Sequence, residues 1–328
     1  MHICKKNCTF VLIFECMWIV LAFISAVCLG FYDISKKIAL TDNKVIDVLT
    51  LSVCFSSLAL SIPLILSRVC PEMMVGTHFY VPTLDLEAHL FTILKSAIVL
   101  SSWIFAYISL KHLPISVVSP MQATRPMWTL VGALLIFGER LNTWQWIGVI
   151  LAIGTVFLFS LGATKTTNHP ALFKEHKFYY FCLALAILIG ACSGLYDKYL
   201  MRRYDHNAVQ VYYTFYQAIM MLITWAIVNK KTIGQSIVNR QSSNRQSIKN
   251  IGVIVLISLF LIVSDNVYML ALRDPDSMIA VVSTIRRGGA VIGFAYGLLF
   301  LREPDPWRKI ACMVGILSGL ICLAFGSL

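Results

Sequence analysis

The sequence predicts an all-α integral membrane protein with ten transmembrane helices, arranged as two inverted repeats of five. Apolar residues make up 58% of the 328 positions, only 13% are charged, and the mean hydropathy is +0.78. A soluble domain carries nearer a quarter charged residues. The apolar runs repeatedly reach about 20 residues, the length that crosses a hydrocarbon core of roughly 30 Å. The third observation is that the second half of the chain repeats the first.

The apolar runs place the helices one by one. In the first half they lie near 9–31 (continuing to about 38), 45–67, 90–110, 114–138 and 144–163. In the second half they lie near 178–200, 208–229, 251–272, 277–301 and 307–327. The Ser-, Gln- and Asn-rich stretch 230–250 predicts a flexible loop.

Short signals support the last two helices of each half. Asn142 and Asp305 are suitable N-caps for the fifth and tenth helices, and Pro306 suits a first helical position. Glycines recur every four residues on the ninth helix and predict a face for close helix contact: Gly289, Gly293 and Gly297. Two acidic residues, Glu139 and Glu303, precede helices and are expected to stabilise a helix N-terminus.

The two halves align when the sequence is shifted by 164 residues. The first block of matches pairs Ala22, Cys28, Gly30, Tyr32 and Asp33 with Ala186, Cys192, Gly194, Tyr196 and Asp197. A later block pairs Val117, Val118 and Ser119 with Val281, Val282 and Ser283, and Glu139 pairs with Glu303. We therefore predict a first repeat at 1–164, a linker at 165–177 and a second repeat at 178–328. Because five is odd, the second copy enters the membrane from the opposite side, as in inverted-repeat transporters.

Several function classes are excluded. The net charge of +11 comes mainly from short connections rather than one basic stripe, so we expect no nucleic-acid partner. The histidines, expected in loops, and the mostly intramembrane cysteines show no metal-ligand spacing. No nucleophile motif or phosphate-binding glycine loop is present. We expect no cofactor, no metal and no enzymatic activity.

Three arginines lie inside apolar helices: Arg125 in the fourth, and Arg286 and Arg287 in the ninth. An arginine at a helix centre costs about 3 kcal/mol on insertion scales, so the three must face water or pair internally. Guanidinium groups bind carboxylates and phosphates, which predicts an anion site. Two adjacent helical residues point about 100° apart, so one of Arg286 and Arg287 is expected to be structural.

Internal pairing is the alternative explanation for the arginines. Asp265 lies inside the eighth helix, and Asp33 and Asp197 lie late in the first and sixth. Asp265 and Asn266 interrupt an apolar run and are predicted to contact substrate, balance an arginine or carry a proton. The repeated Tyr-Asp pairs predict gating or proton coupling, or else helix anchoring: Tyr32, Asp33, Tyr196 and Asp197. Further wall candidates, which are alternatively packing residues, are Trp103, Tyr107, Tyr213, Tyr216, Gln217 and Tyr268.

The order of these features resembles the drug/metabolite transporter superfamily, specifically its ten-helix transporters with two EamA repeats. The resemblance rests on a glycine in the first helix of each half, a basic residue soon after it, an aromatic third helix, and an acidic end to the fourth. These features are Gly30, Gly194, Lys37, Arg202, the runs 107–110 and 269–272, Gly138-Glu139 and Arg302-Glu303. The chain departs from relatives that carry Trp before the first glycine and Pro in the ninth helix, having Leu29, Ser193 and the run 285–288 there.

The resemblance implies a cavity walled by the first four helices of each repeat, and alternating-access transport of a small polar solute, often outward. Phosphate-ester translocators of the superfamily look similar in their basic fourth and ninth helices. We therefore expect a secondary transporter of an anionic or zwitterionic metabolite, such as an amino acid or organic acid. The alternatives are a lipid or polyprenyl-phosphate carrier or enzyme, and a cationic drug exporter.

The expected partners are a small-molecule substrate and the lipid bilayer, with the chain either a monomer or a homodimer. The expected location is a cell membrane, a bacterial inner membrane being the first choice. Loop Lys and Arg residues are more numerous on the side opposite the termini, which places both termini outside. The resemblance instead implies cytoplasmic termini, so orientation stays open.

Overall fold

The computed structural model describes residues 17–77, 79–137, 142–151, 154–155, 170–201, 203–238, 250–273, 282 and 285–326. All regular structure in these residues is helical. Six of the described helices contain segments long and apolar enough to cross a membrane. These segments are Trp18–Asp42, Val45–Val69, Leu86–His112, Lys177–Asp197, His206–Asn229 and Ile251–Tyr268. The prediction of an all-helical integral membrane protein is confirmed.

The helices follow the predicted order. The first half contains α1 (Met17–Asp42), α2 (Val45–Val69), the short α3 (Pro71–Met74), α4 (Leu86–His112), α5 (Ile115–Ala123), α6 (Arg125–Phe137) and α7 (143–151). The second half contains α8 (Pro170–Met201), α9 (His206–Val238), α10 (Ile251–Arg273), α11 (Ala290–Leu299) and α12 (Pro306–Phe325).

Two boundaries differ from the prediction. Helix α8 begins at Pro170 rather than near 178, and proline suits a first helical position. Helix α9 continues to Val238, so residues 230–238 are helical rather than part of a loop. Its membrane-length segment ends at Asn229, and the continuation starts with two lysines, which are good helix formers in water. Apolarity marks the end of a membrane segment, whereas the helix itself continues as long as its hydrogen bonds do.

The predicted Asn142 cap is found at the fifth helix, and the tenth helix begins at the predicted residue, while the side-chain cap of Asp305 remains a prediction. The Trp144 N–H lies 3.3 Å from Asn142 Oδ1, and the Asn142 N–H donates to Gln145 Oε1 over 3.0 Å. These reciprocal bonds form a capping box at the start of α7. Pro306 is the first residue of α12, and Asp305 before it has a positive φ of 57°. Both helix starts are thereby confirmed.

The predicted fourth helix is interrupted at Thr124, which separates α5 from α6. Pro126 lacks an N–H and cannot bond to the carbonyl four residues earlier. On either side of it, hydrogen bonds span three residues rather than four. The Thr124 N–H bonds to the Met121 carbonyl at 3.2 Å, and the Met127 N–H bonds to the Thr124 carbonyl at 2.9 Å. The prediction of one continuous helix at 114–138 is therefore wrong at this residue.

The chain folds into two compact units. Unit 1 contains Met1–Ser35, Leu113–Phe178 and Leu259–Leu328, and unit 2 contains Lys36–His112 and Tyr179–Ser258. Three of the four unit boundaries fall within α1, α8 and α10, and the fourth directly follows α4. Each unit draws on both sequence halves, so the units do not coincide with the predicted repeats, which remain a prediction.

Unit 1 is held together by close helix contacts at glycines. A Cβ on Gly30 of α1 would lie 2.6 Å from the Ile292 Cβ, and one on Gly289 would meet the Ala26 carbonyl. A Cβ on Gly293 would lie 2.8 Å from Ser119 Oγ. Together with Gly297, which lies against Ile115 and Ser116 of α5, these contacts confirm the predicted small-residue face. A cluster including Met127, Phe294, Met313 and Ile316 forms its buried core.

In unit 2, α9 packs against α2 and α4. The contact between α4 and α8 uses serines seven residues apart. Ser102 Oγ donates to the Ala186 carbonyl over 2.8 Å, and Ser109 Oγ donates to the Tyr179 carbonyl over 3.1 Å. Small hydroxyl side chains that bond across helices allow close approach in an apolar environment.

Candidate functional site

A second interruption, preceding α11, lies at the position equivalent to Thr124. Residues 285–287 are helical, Gly288 and Gly289 form a turn, and α11 begins at Ala290. The Gly288 N–H bonds to the Ile285 carbonyl and the Val291 N–H to the Gly288 carbonyl, both over 2.9 Å. Subtracting 164 from these positions gives the two bonds seen at Thr124. The two interruptions therefore have two equivalent hydrogen bonds at aligned positions. The first lies beside Pro126, and the second lies at Gly288 and Gly289.

The three predicted arginines flank these interruptions. Arg125 is the first residue of α6, and Arg286 and Arg287 end the helical turn before Gly288. All three side chains are partly buried, and each Nε atom is fully buried without a hydrogen-bond partner among the described residues. A broken helix thus presents a guanidinium group at each of the two positions.

Arg286 is paired within the chain. Its guanidinium forms an ion pair with the Asp265 carboxylate, and the side chains are 16% and 20% exposed. The same guanidinium lies over the Tyr268 ring, 4.4 Å from its centroid. A planar cation suits both contacts. The internal pairing that the sequence offered as an alternative therefore holds for this arginine.

A second carboxylate, that of Asp33, lies close enough to Arg125 and Arg287 to interact electrostatically with both. Tyr32 and Asp33 of α1 interact electrostatically with Arg125. Asp33 also interacts with Arg287, which in turn experiences the charges of Arg125 and Arg286. The close contact of α1 with Gly289 and Gly293 brings Asp33 to this position, since its Cβ lies 3.7 Å from a Cβ built on Gly293. Asp33 thus lies near the arginine cluster, and its predicted role in gating or proton coupling remains a prediction.

Asn266, although adjacent to Asp265, bonds within its own helix. Its Nδ2 donates to the Ile262 carbonyl over 2.8 Å. This bond uses one N–H of the side-chain amide. The predicted contact of Asn266 with substrate stays a prediction.

The remaining predicted residues lie in unit 2. Tyr107 is buried, and the Lys36 Nζ lies 5.5 Å from its ring centroid. Gln217 is 1% exposed, and its Nε2 has no hydrogen-bond partner in the described part of the chain. Tyr196 donates its hydroxyl to the Phe91 carbonyl over 3.1 Å, which anchors α8 on α4. For these residues the predicted roles in substrate binding and gating remain predictions.

Asp197 forms an ion pair that sequence reasoning missed. The Lys95 Nζ lies 2.8 Å from Asp197 Oδ1 and 4.7 Å from the Tyr213 ring centroid. The Lys95 side chain is 9% exposed and that of Asp197 is 40% exposed. Lys95 lies within the apolar third helix, so the argument that singled out the arginines would have found it too.

Glu303 caps a helix that is distant in sequence. Its carboxylate accepts the N–H of Ile115 (3.0 Å), the N–H of Ser116 (3.2 Å) and the Ser116 hydroxyl. Lys309 completes the arrangement with its Nζ 3.2 Å from Glu303 Oε2. The carboxylate is at a helix N-terminus as expected, but the helix is α5 rather than α12, which follows it. Its counterpart Glu139 lies outside the described residues.

The predicted histidine positions need correction. His89 lies in the first turn of α4 and bonds to the Tyr216 hydroxyl over 2.9 Å, and His112 ends α4 and stacks on Tyr179. Neither is in a loop, because the helices extend beyond their apolar segments. Across the described residues, no group of three His, Cys, Asp or Glu residues is placed to hold a metal ion.

Membrane-length helices and intramembrane charged residues define a multi-pass integral membrane protein. Residues 16–161, a little under half of the chain, match the model of the EamA-like transporter family. The resemblance predicted from the sequence is thereby confirmed for this segment. No curated protein matches the chain.

Proposed function

We propose that the chain is a secondary transporter that exports a small anionic or zwitterionic metabolite by alternating access. The observation that carries the proposal is the pair of equivalent helix interruptions, each flanked by intramembrane arginines. Interrupted membrane helices present backbone groups at the substrate site of many inverted-repeat transporters. Guanidinium groups beside them supply the positive charge that a carboxylate or phosphate requires.

The ten-helix, inverted arrangement is part of the same proposal. The alignment of both halves at one offset supports it, as do the two equivalent hydrogen bonds at Thr124 and Gly288. Two copies inserted in opposite directions bring equivalent interruptions to the same depth in the membrane. The substrate is then alternately exposed to the two faces.

Transport is tested in proteoliposomes containing the purified chain. Uptake is measured for pooled amino acids, organic acids and phosphorylated metabolites, comparing the wild type with Arg125→Gln. We expect at least one pool to be transported and Arg125→Gln to reduce the rate at least about tenfold, because one charge-assisted contact is lost. Arg308→Gln, which removes an exposed arginine of α12, is the matched control and is expected to keep the wild-type rate.

Two outcomes would contradict the proposal. Transport at the wild-type rate by Arg125→Gln would remove the arginines from the substrate path. Uptake of cationic or neutral apolar drugs, with none of the pooled metabolites transported, would replace the proposed substrate class. The direction of transport follows from comparing uptake with efflux from preloaded vesicles.

A further inference from the structure

Two carboxylates in the described part of the chain are held in very different ways. Glu303 of unit 1 accepts two backbone N–H groups and a hydroxyl, pairs with Lys309, and has a side chain that is 9% exposed. Asp197 of unit 2 pairs with the Lys95 ammonium at 2.8 Å, and its side chain is 40% exposed. Its Oδ1 atom accepts no hydrogen bond from the described residues. The Asp197 carboxylate is therefore open to a competing cation, whereas that of Glu303 is not.

The register of α4 and α8 explains this difference in exposure. Antiparallel hydrogen bonds between the two helices join Ser102 to Ala186, and Phe91 to Tyr196. Asp197 follows Tyr196 and is the last residue of its membrane-length segment. Lys95 lies one turn beyond Phe91, and its side chain reaches back toward the start of α4. Water at the membrane face where α4 begins and α8 ends therefore reaches the carboxylate before it reaches the ammonium.

The charged and titratable groups around Asp197 come from three helices. Lys95 of α4 contacts the carboxylate, and its ammonium also lies 4.7 Å from the ring centroid of Tyr213 on α9. The other such groups nearby have partners of their own: Tyr196, Tyr199, Arg203, His89 and Tyr216. A proton needs a single oxygen atom, whereas a calcium ion takes about six to eight. The lone carboxylate therefore suits a proton better than a metal ion.

Resting on the proposed function, we propose that Asp197 is a proton-binding site at which a proton competes with Lys95. A proton from water binds a carboxylate oxygen of Asp197, the ion pair opens, and the ammonium stays on the Tyr213 ring. Loss of the proton restores the pair and closes the contact between α4 and α8. Acidification of the face where α4 begins opens this contact and speeds transport.

A first test needs no substrate. Infrared difference spectra of the full chain in lipid nanodiscs, taken between about pH 8 and about pH 6, detect carboxyl groups that bind a proton well above the usual aspartate range near about pH 4. We expect Lys95→Met to show such a band, because an unpaired carboxylate in the membrane favours its neutral form. The band is expected to be absent when Asp197→Asn is added. It is expected to persist when Asp205→Asn is added instead, since that change removes an exposed carboxylate and keeps the cap of α9.

A second test measures uptake in proteoliposomes while each face in turn is acidified. We expect the wild-type rate to rise at least about threefold when the face where α4 begins is acidified from about pH 7.5 to about pH 5.5. The double variant Lys95→Met with Asp197→Asn is expected to keep one rate at both pH values, because no charge remains for a proton to compete with. Histidine titrates in the same range, so His89→Gln is the matched control. It is expected to keep the wild-type response, since His89 bonds to Tyr216.

The proposal is overturned if Lys95→Met shows no protonated-carboxyl band, or if the band persists in the double variant. It is also overturned if wild-type transport does not respond to acidification, if the double variant keeps the response, or if His89→Gln abolishes it. The expected infrared bands without uptake of any metabolite pool would support the proton site and contradict the proposed transport.

Discussion

Two intramembrane cations form one-to-one ion pairs within the part of the chain that the structure describes. Lys95 with Asp197 and Arg286 with Asp265 are one-to-one pairs, and each cation also covers an aromatic ring. Asp33 interacts electrostatically with both Arg125 and Arg287. A buried pair gives little net stability, but removing one partner leaves an unpaired charge. Removing one partner of such a pair is therefore expected to destabilise the chain more than removing both.

The Lys95–Asp197 pair allows a test at this scale. We expect Lys95→Met to lower stability by about 1–2 kcal/mol, less than for a fully buried pair because Asp197 is partly exposed. The double variant with Asp197→Asn is expected to recover most of this loss, since no charge remains unpaired. Thermal unfolding in detergent measures both. Equal stability of Lys95→Met and the wild type would show that the pair has no structural role.

The sequence predicted those site residues that stand out in a hydropathy profile. Arg125, Arg286 and Arg287 stood out because charges are rare in apolar runs, and the cluster contains all three. The pairing of Arg286 with Asp265 was one of several alternatives, because sequence spacing does not show which helices touch. Lys95 carried the same signal and was overlooked. The capping of α5 by Glu303 had no local signal, since the two are far apart in the chain.

At the scale of elements, two different local sequences produce the same kind of helix interruption. Near Thr124 the helix is interrupted beside Pro126, whereas at Gly288 the interruption occurs at paired glycines without any proline. Composition predicted a continuous helix in both places, because hydrophobicity does not record a missing backbone hydrogen bond. The ninth helix of this chain lacks the proline that relatives carry, but it is interrupted all the same.

Close packing of α1 on α11 provides the test at this scale. A Cβ on Gly30 would lie 2.8 Å from the Gly289 carbonyl oxygen, a backbone atom that cannot rotate away. We expect Gly30→Ala to destabilise the chain by about 1–3 kcal/mol through overpacking. Gly252→Ala, at an exposed helical position with nothing within 4 Å of the new Cβ, is the matched control.

The control is expected to be neutral or stabilising by up to about 1 kcal/mol, because alanine is the better helix former. Both are compared by thermal unfolding and by the yield of monodisperse protein. If Gly30→Ala unfolds at the same temperature as Gly252→Ala, the close approach of α1 and α11 is not part of the native structure.

At the scale of the whole molecule, the duplicated scaffold holds unlike charges. Asp33 and Asp197 are equivalent at the 164-residue offset, yet one belongs to the arginine cluster of unit 1 and the other pairs with Lys95 in unit 2. The counterpart of Arg125 is Gly289, and that of Lys95 is Leu259. The acidic residues Asp33 and Asp197 recur at the 164-residue offset, whereas the cations Arg125 and Lys95 do not.

The inverted arrangement predicts which loops share a membrane face. Five predicted helices separate Lys44 from Arg203, so these residues should face opposite sides, whereas four separate Thr77 from Arg203, which should share one side. All three are exposed. Single cysteines at these positions, introduced after replacing the ten native cysteines, are labelled with a membrane-impermeant maleimide in right-side-out and inverted vesicles.

We expect Thr77→Cys and Arg203→Cys to react from one face and Lys44→Cys from the other. The contrast between Thr77→Cys and Lys44→Cys is the internal control, since α2 is the one membrane-length helix between them. A reporter fused after Leu328 then identifies the cytoplasmic face and decides between the charge rule and the family resemblance. Labelling of Lys44→Cys and Arg203→Cys from the same face would mean an even number of spans between them. Two five-helix repeats could then not be inverted, and their equivalent interruptions would not meet at one depth in the membrane.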